Sequence, residues 1–188
     1  MTPFVVLGIG NLLYADEGFG IRAVEAFHRA FDVPPEVLVL DGGTQGLYLV
    51  EPVRAATGLI LFDAIDYGLP PGTMKLVRDE EVPKFTGVKK LSLHQTGFQE
   101  VLSAAELLGG APSSLLLIGV QPLDLEDWGG PISEPVATQI EPAIEIAAAE
   151  LGRWGVGPTR RAQPFDERRG LLRHGLGYLE YERRQERG

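Results

Sequence analysis

Leu7 to Phe27 reads LGIGNLLYADEGFGIRAVEAF, and this stretch decides the fold. It closes an apolar run, Phe4–Leu7 (FVVL), turns through Gly8-Ile9-Gly10-Asn11, and enters a segment with Ile21, Val24, Phe27 and Phe31 on one helical stripe. A short apolar run, a glycine turn and an amphipathic helix form the first β–α unit of a sheet covered by helices. The turn looks like a phosphate-binding loop, but it lacks the third glycine of GxGxxG, and Asp16 and Glu17 sit side by side at the mouth of the helix. Backbone N–H groups that cradle a pyrophosphate are ill matched to two adjacent carboxylates. Acids at this place suit a helix start, as cap or dipole complement, or else a bound cation.

Four further apolar runs follow, each bounded by Gly, Pro or Asp: Val37–Leu40, Leu59–Phe62, Met74–Val77 and Leu115–Val120. Such runs suit strands buried on both faces of a mainly parallel sheet. Helical patterns alternate with them at Gly18–Phe31, Gln45–Ala55 and His94–Leu108. A long alanine-rich helix is expected over Ser133–Trp154, started by Ser133 and Glu134. The expected fold class is α/β: a three-layer sandwich with a mainly parallel twisted sheet of about five strands and helices on both faces. Residues 1–154 form this domain. Residues 155–188, rich in Gly, Pro and Arg, are expected to be a flexible or loosely docked tail.

Charge narrows the function classes. The net charge is −9, but residues 153–188 hold nine arginines against five acids (+4), which leaves −13 for residues 1–152. A domain at −13 is a poor partner for nucleic acid, whose phosphates need clustered Lys and Arg. The absence of cysteine excludes disulfides, thiolate metal sites and cysteine nucleophiles. No apolar run approaches the ~20 residues of a membrane span, and the N-terminus has no signal-peptide pattern. A cytoplasmic protein without membrane insertion is expected.

Ligands of open α/β sheets sit beyond the carboxyl ends of the strands. There the first strand ends at Gly8–Glu17, the second at Asp41-Gly-Gly-Thr and the third at Asp63-Ala-Ile-Asp66, and the helix at His94 opens on the same edge. Glu17, Asp63 and His94 make an O/O/N set suited to a borderline divalent ion such as Ni, Zn or Mn, with open positions for water or substrate. Each has a plainer reading. Glu17 or Asp16 can serve the helix dipole, Asp63 can cap a loop, and His94 can cap a helix. Asp41 fits an Asx turn, with Gly42 and Gly43 supplying the unusual dihedrals, or an acid that positions a peptide or a water. Trp128, in LEDWGG (Leu125–Gly130), reads equally as a partner anchor and as a core cap. His28 and His174 read as surface histidines.

The segments GIGNLLYADEGFGIRAVEAF, LDGGTQG, LILFDAID, PGTMKLVRDEEVP, LSLHQTGFQEVL and LIGVQPLDLEDWGG, in that order, resemble the hydrogenase maturation endopeptidases. These trim the C-terminus of the [NiFe]-hydrogenase large subunit. The resemblance runs from about residue 4 to 150. It implies a three-layer α/β fold and a metal-dependent endopeptidase that cuts the large-subunit precursor once, after nickel insertion. It implies metal ligation by Glu17, Asp63 and His94, with Asp41 matching an acid associated with activity. Nickel would be presented by the precursor, and other divalent ions can occupy the site in vitro. A non-proteolytic nickel-binding chaperone of the large subunit would use the same ligands. A peptidyl-tRNA hydrolase shares the GxGN turn but needs a basic face, and a flavodoxin-like module needs a bound flavin or nucleotide.

Overall fold

The computed structural model describes residues 4–43, 46–82, 93–165 and 171, with the side chains of residues 47, 80 and 93–97 apart. In chain order its regular elements are β1 (Phe4–Ile9), α1 (Phe19–Ala30), β2 (Phe31–Asp32), β3 (Val37–Gly43), α2 (Val50–Ala55), β4 (Gly58–Ala64) and β5 (Met74–Arg78). There follow α3 (Leu93–Leu107), β6 (Ser114–Val120), α4 (Glu134–Ala137), α5 (Ile140–Arg153) and β7 (Thr159–Arg160). Five strands make one sheet in the order β3-β1-β4-β6-β5, with only β5 antiparallel to its neighbour. All seven residues of central β4 are buried, which is why this strand reads as an unbroken apolar run.

Alternation along the strands splits the core in two. Val6, Ile60, Phe62 and Ile118 face Phe19, Val24 and Phe27 of α1 and Ile140, Ile144 and Leu151 of α5. Leu7, Leu59, Leu61 and Leu117 face Val50 and Val53 of α2 and Phe98, Val101 and Leu102 of α3. Each fully buried side chain of this size contributes roughly 1.5–3 kcal/mol, so the two layers supply most of the driving force for the sandwich. The expected three-layer architecture is the one observed.

Two glycines let α1 lie close on the sheet. A Cβ on Gly8 would sit 2.1 Å from the Gly20 carbonyl oxygen, and one on Gly20 would sit 2.2 and 2.3 Å from the carbonyl oxygens of Ile9 and Phe62. Gly10, at φ 140°, makes the turn that brings the chain back over the strand end. The glycine pattern that resembles a phosphate loop thus serves helix–sheet contact.

Three local expectations are corrected. The helix expected over Ser133–Trp154 is two helices, because the Pro142 ring would meet the Thr138 carbonyl one turn earlier, so α5 restarts with Pro142 in its first turn. Ser133 precedes α4 without a side-chain cap bond, since its hydroxyl is used elsewhere. Phe31 leaves the helix and becomes β2, which pairs antiparallel with β7. Of Gln45–Ala55, Gly46–Leu49 is a 3₁₀ turn before α2, and Gln45 lies outside the described residues.

Beyond Trp154, the described residues are docked. The Arg161 amide donates to the Ala30 carbonyl at 2.8 Å and the Phe165 amide to Arg29 at 3.2 Å. The Arg161 guanidinium lies 3.6 Å from the Phe165 ring centroid. His28 also faces Phe165, at 5.8 Å between ring centroids; His174 lies outside the described residues.

Candidate active site at the carboxyl edge

The 3₁₀ turn Ala15–Gly18 carries the two adjacent acids, and the structure separates their roles. Asp16 is fully buried. Its Oδ2 accepts from the amides of Leu123 and Asp124, at 2.8 and 3.0 Å, and from the Ser133 hydroxyl at 2.8 Å; its Oδ1 accepts from the Ser133 amide at 2.7 Å. Asp16 is the pin of the loop that follows β6. The Glu17 backbone is fixed by bonds to Tyr14 and Asn11.

Asp63 lies near the end of β4 with only 3 % of its surface exposed. By alternation it shares a face with Leu59 and Leu61, the α3 side of the sheet. Among the described residues no donor reaches its Oδ2. Burial pushes its carboxyl well above the ordinary range against the pull of the Ala64 amide, and the negative charge of Glu17 pushes the same way. Glu17 and Asp63 are therefore electrostatic neighbours, brought together where the turn before α1 crosses the strand ends.

His94 is the second residue of α3. The 15 residues of α3 span roughly 22 Å, about the length of β6, and the helix ends at the strand's amino end, where the Ser113 amide donates to the Thr57 carbonyl. Its first turn therefore lies at the carboxyl edge, on the Asp63 face. The His94 side chain lies outside the described residues, among which no group of three potential ligands is assembled.

Asp41 sits in β3 opposite Gly8. Val37 and Val39, of the same parity, belong to the core layer under α1, so Asp41 faces the side of the sheet opposite Asp63. It is half-buried, and its Oδ1 accepts from the Gly43 amide at 2.9 Å in an Asx turn with Gly43 at φ 46°. Burial pushes its carboxyl up, and the Gly43 bond pulls it down.

Two features escaped the sequence reading. The Asp16 bonds span 107 to 117 residues, beyond any local pattern. Gln121, 6 % exposed, holds the segment after Asp63: its Oε1 accepts from the Tyr67 and Leu69 amides at 2.7 and 3.1 Å, and its Nε2 donates to Asp66 at 3.0 Å. A groove of about 630 Å³ opens beside this clamp, lined by Asp66, Leu123, Asp124, Glu126 and Asp127 among others. Trp128 is 64 % exposed and stacks edge-on against Tyr14 at 5.0 Å, so it is not a core cap. Among the described residues no helix is long and apolar enough to cross a membrane.

Comparison with known proteins agrees with this architecture. The family model described as hydrogenase maturation protease matches residues 21–150. The hydrogenase expression/formation protein HupD of Bradyrhizobium diazoefficiens is 62% identical over 180 residues, 96% of this chain and 94% of that protein. The hydrogenase 2 maturation protease of Escherichia coli is 44% identical over 164 residues, covering 86% and 98% of the two chains. The solved structure of the hydrogenase maturating endopeptidase HybD from E. coli superposes with a TM-score of 0.80 at 41% identity, covering 85% of this chain and 98% of that one. With the sheet order, the layers and the acidic carboxyl edge already in place, these matches show that the chain belongs to the hydrogenase maturation protease family.

Proposed function

We propose that the chain is a metal-dependent endopeptidase that removes the C-terminal peptide of a [NiFe]-hydrogenase large-subunit precursor after nickel insertion, acting in the cytoplasm. Membership of the family supports proteolysis in hydrogenase maturation. One observation carries the metal dependence: the buried Oδ2 of Asp63 lacks a donor among the described residues and has a second acid, Glu17, as its neighbour. Two carboxylates drawn together in a buried place are costly unless a cation joins them.

The donor set fits. Glu17, Asp63 and His94 would hold the ion, and two oxygens with one imidazole suit nickel brought in by the precursor as cargo. A bound ion would supply an anchor for the precursor and a Lewis acid for the scissile carbonyl. The protein's own groups do the rest. Asp16 and Gln121 fix the two loops that flank the strand end. Partial burial raises the Asp41 carboxyl and makes it a stronger base than an exposed one. The register sets Asp41 on the far face, which favours the Glu17–Asp63 pair for proton transfer and Asp41 for shaping the turn. Exposed Leu13, Leu123 and Trp128 offer the precursor an apolar foothold beside the site.

The test is a cleavage assay read by mass spectrometry, with purified protein mixed with nickel-loaded or nickel-free precursor. Loss of a short C-terminal peptide from the loaded precursor alone is the expected result, and Asp63→Asn or His94→Ala should abolish it in a folded protein. Cleavage of both precursors would remove nickel from the reading. Cleavage of neither, with folded protein, would favour the non-proteolytic nickel-binding chaperone.

A further inference from the structure

The β4–β6–β5 register puts Asp63, Gly119 and Lys75 on one row across the sheet, with Asp63 and Lys75 each directly opposite Gly119. Residues paired in this way project to the same face. The middle position has no side chain, and the phenol of Tyr67 fills the space: a Cβ on Gly119 would sit 2.2 Å from the Tyr67 hydroxyl oxygen. That hydroxyl is buried, although the residue as a whole is only half-buried, so the ring enters from the surface with its polar end inward. Its place over Gly119 is one strand spacing, about 5 Å, from the Asp63 row position.

Tyr67 is held there from both ends. Its amide donates to the buried Gln121 side chain at 2.7 Å, and Gln121 is itself tied to Asp66. The Lys75 ammonium stands 5.0 Å from the Tyr67 ring centroid, on its face. A flexible surface tyrosine would need none of this.

We propose that Tyr67 is a positioning residue of the site: a hydroxyl donor, clamped over Gly119 beside Asp63, that orients the group bound there. This rests on the reading of Asp63 as a site ligand. Groups that orient a ligand in this way are typically worth about 10–100-fold in metal affinity or activity.

The test is Tyr67→Phe, which keeps the ring on Gly119 and removes only the hydroxyl, made in the full chain. Ni2+ alone is titrated into the metal-free protein by calorimetry, and precursor cleavage is followed for kcat and KM. The expected result is about tenfold weaker Ni2+ binding and a fall in kcat of similar size. The melting temperature of the metal-free protein should stay at its wild-type value, since a role confined to packing would move that temperature and not the Ni2+ affinity. Gly119→Ala, which displaces the hydroxyl, should cost the same, and the double variant no more than either single one. Wild-type affinity and kcat in Tyr67→Phe would overturn the proposal while leaving the proposed function standing. A wild-type protein that neither binds Ni2+ nor cleaves the precursor would overturn both.

Discussion

Asp63 illustrates what a site costs the residue that serves it. A carboxylate 3 % exposed at the end of the central strand opposes folding as soon as it ionises, because burial raises its folded-state pKa above the ordinary 3.8. The sign follows from linkage. Below about pH 4 the acid is protonated in both states and the cost is absent. As pH rises, the unfolded chain ionises first, and the cost grows until the folded carboxyl ionises too. Asp63→Asn should therefore stabilise the metal-free protein at pH 7 by roughly 1–2 kcal/mol, the usual trade between function and stability, with no gain at pH 3.5. Thermal melts of both proteins at the two pH values check this. A variant less stable than wild type at pH 7 would show the carboxylate to be a structural acceptor. Asp63 was readable from sequence as a strand-end acid. What sequence hid was its contrast with Asp41, because which face a strand residue takes depends on which core the strand's other residues fill.

At the scale of elements, the strands and the helix that sets the site were legible, since burial on both faces leaves an unmistakable apolar run. The breaks were not. A proline inside an alanine-rich pattern and a β–β pairing 129 residues apart leave little local trace (Phe31 with Arg160). The largest thing missed was the pairing of Asp16 with the loop Leu123–Ser133, and it bears directly on the site, because the same 3₁₀ turn holds Glu17. Removing this carboxylate leaves four part-buried donors without their acceptor at once. Asp16→Ala should cost about 3–5 kcal/mol, the range for uncovering the partners of a buried charged group, and Asp16→Asn less, since an amide oxygen still accepts. Hydrogen exchange at the Leu123 and Asp124 amides should speed up in both variants, ahead of the amides of β4. Unchanged exchange at these two amides would mean the loop holds its shape without Asp16.

At the scale of the whole molecule, the segment after Trp154 ties the amino edge of the sandwich together, opposite the site. β7 pairs with β2, and Arg160 bridges to Glu141 and Glu145 of α5 while lying 5.4 Å from the Phe31 ring centroid. Arg161 pairs with Asp32 at 3.2 Å. Each ion pair reaches solvent through its acid and is worth at most about 1 kcal/mol, so the larger part comes from the covered rings and the backbone bonds. Ending the chain at Gly157 removes all of these, whereas ending it at Phe165 removes none. The shorter chain should lose about 2–4 kcal/mol, which for a protein of this size lowers the melting temperature by roughly 5–15 °C. Cleavage should survive in both, because the 12 residues of α1 place this clamp about 18 Å from Glu17. Thermal melts separate the two truncations, and the precursor assay run below the lower melting point compares their kcat and KM. Equal melting temperatures would show the clamp to be a decoration of the surface. A loss of cleavage in the folded shorter chain would show that the arginine-bearing segment belongs to the substrate's footprint, and that the acidic domain and its basic extension act on the precursor together.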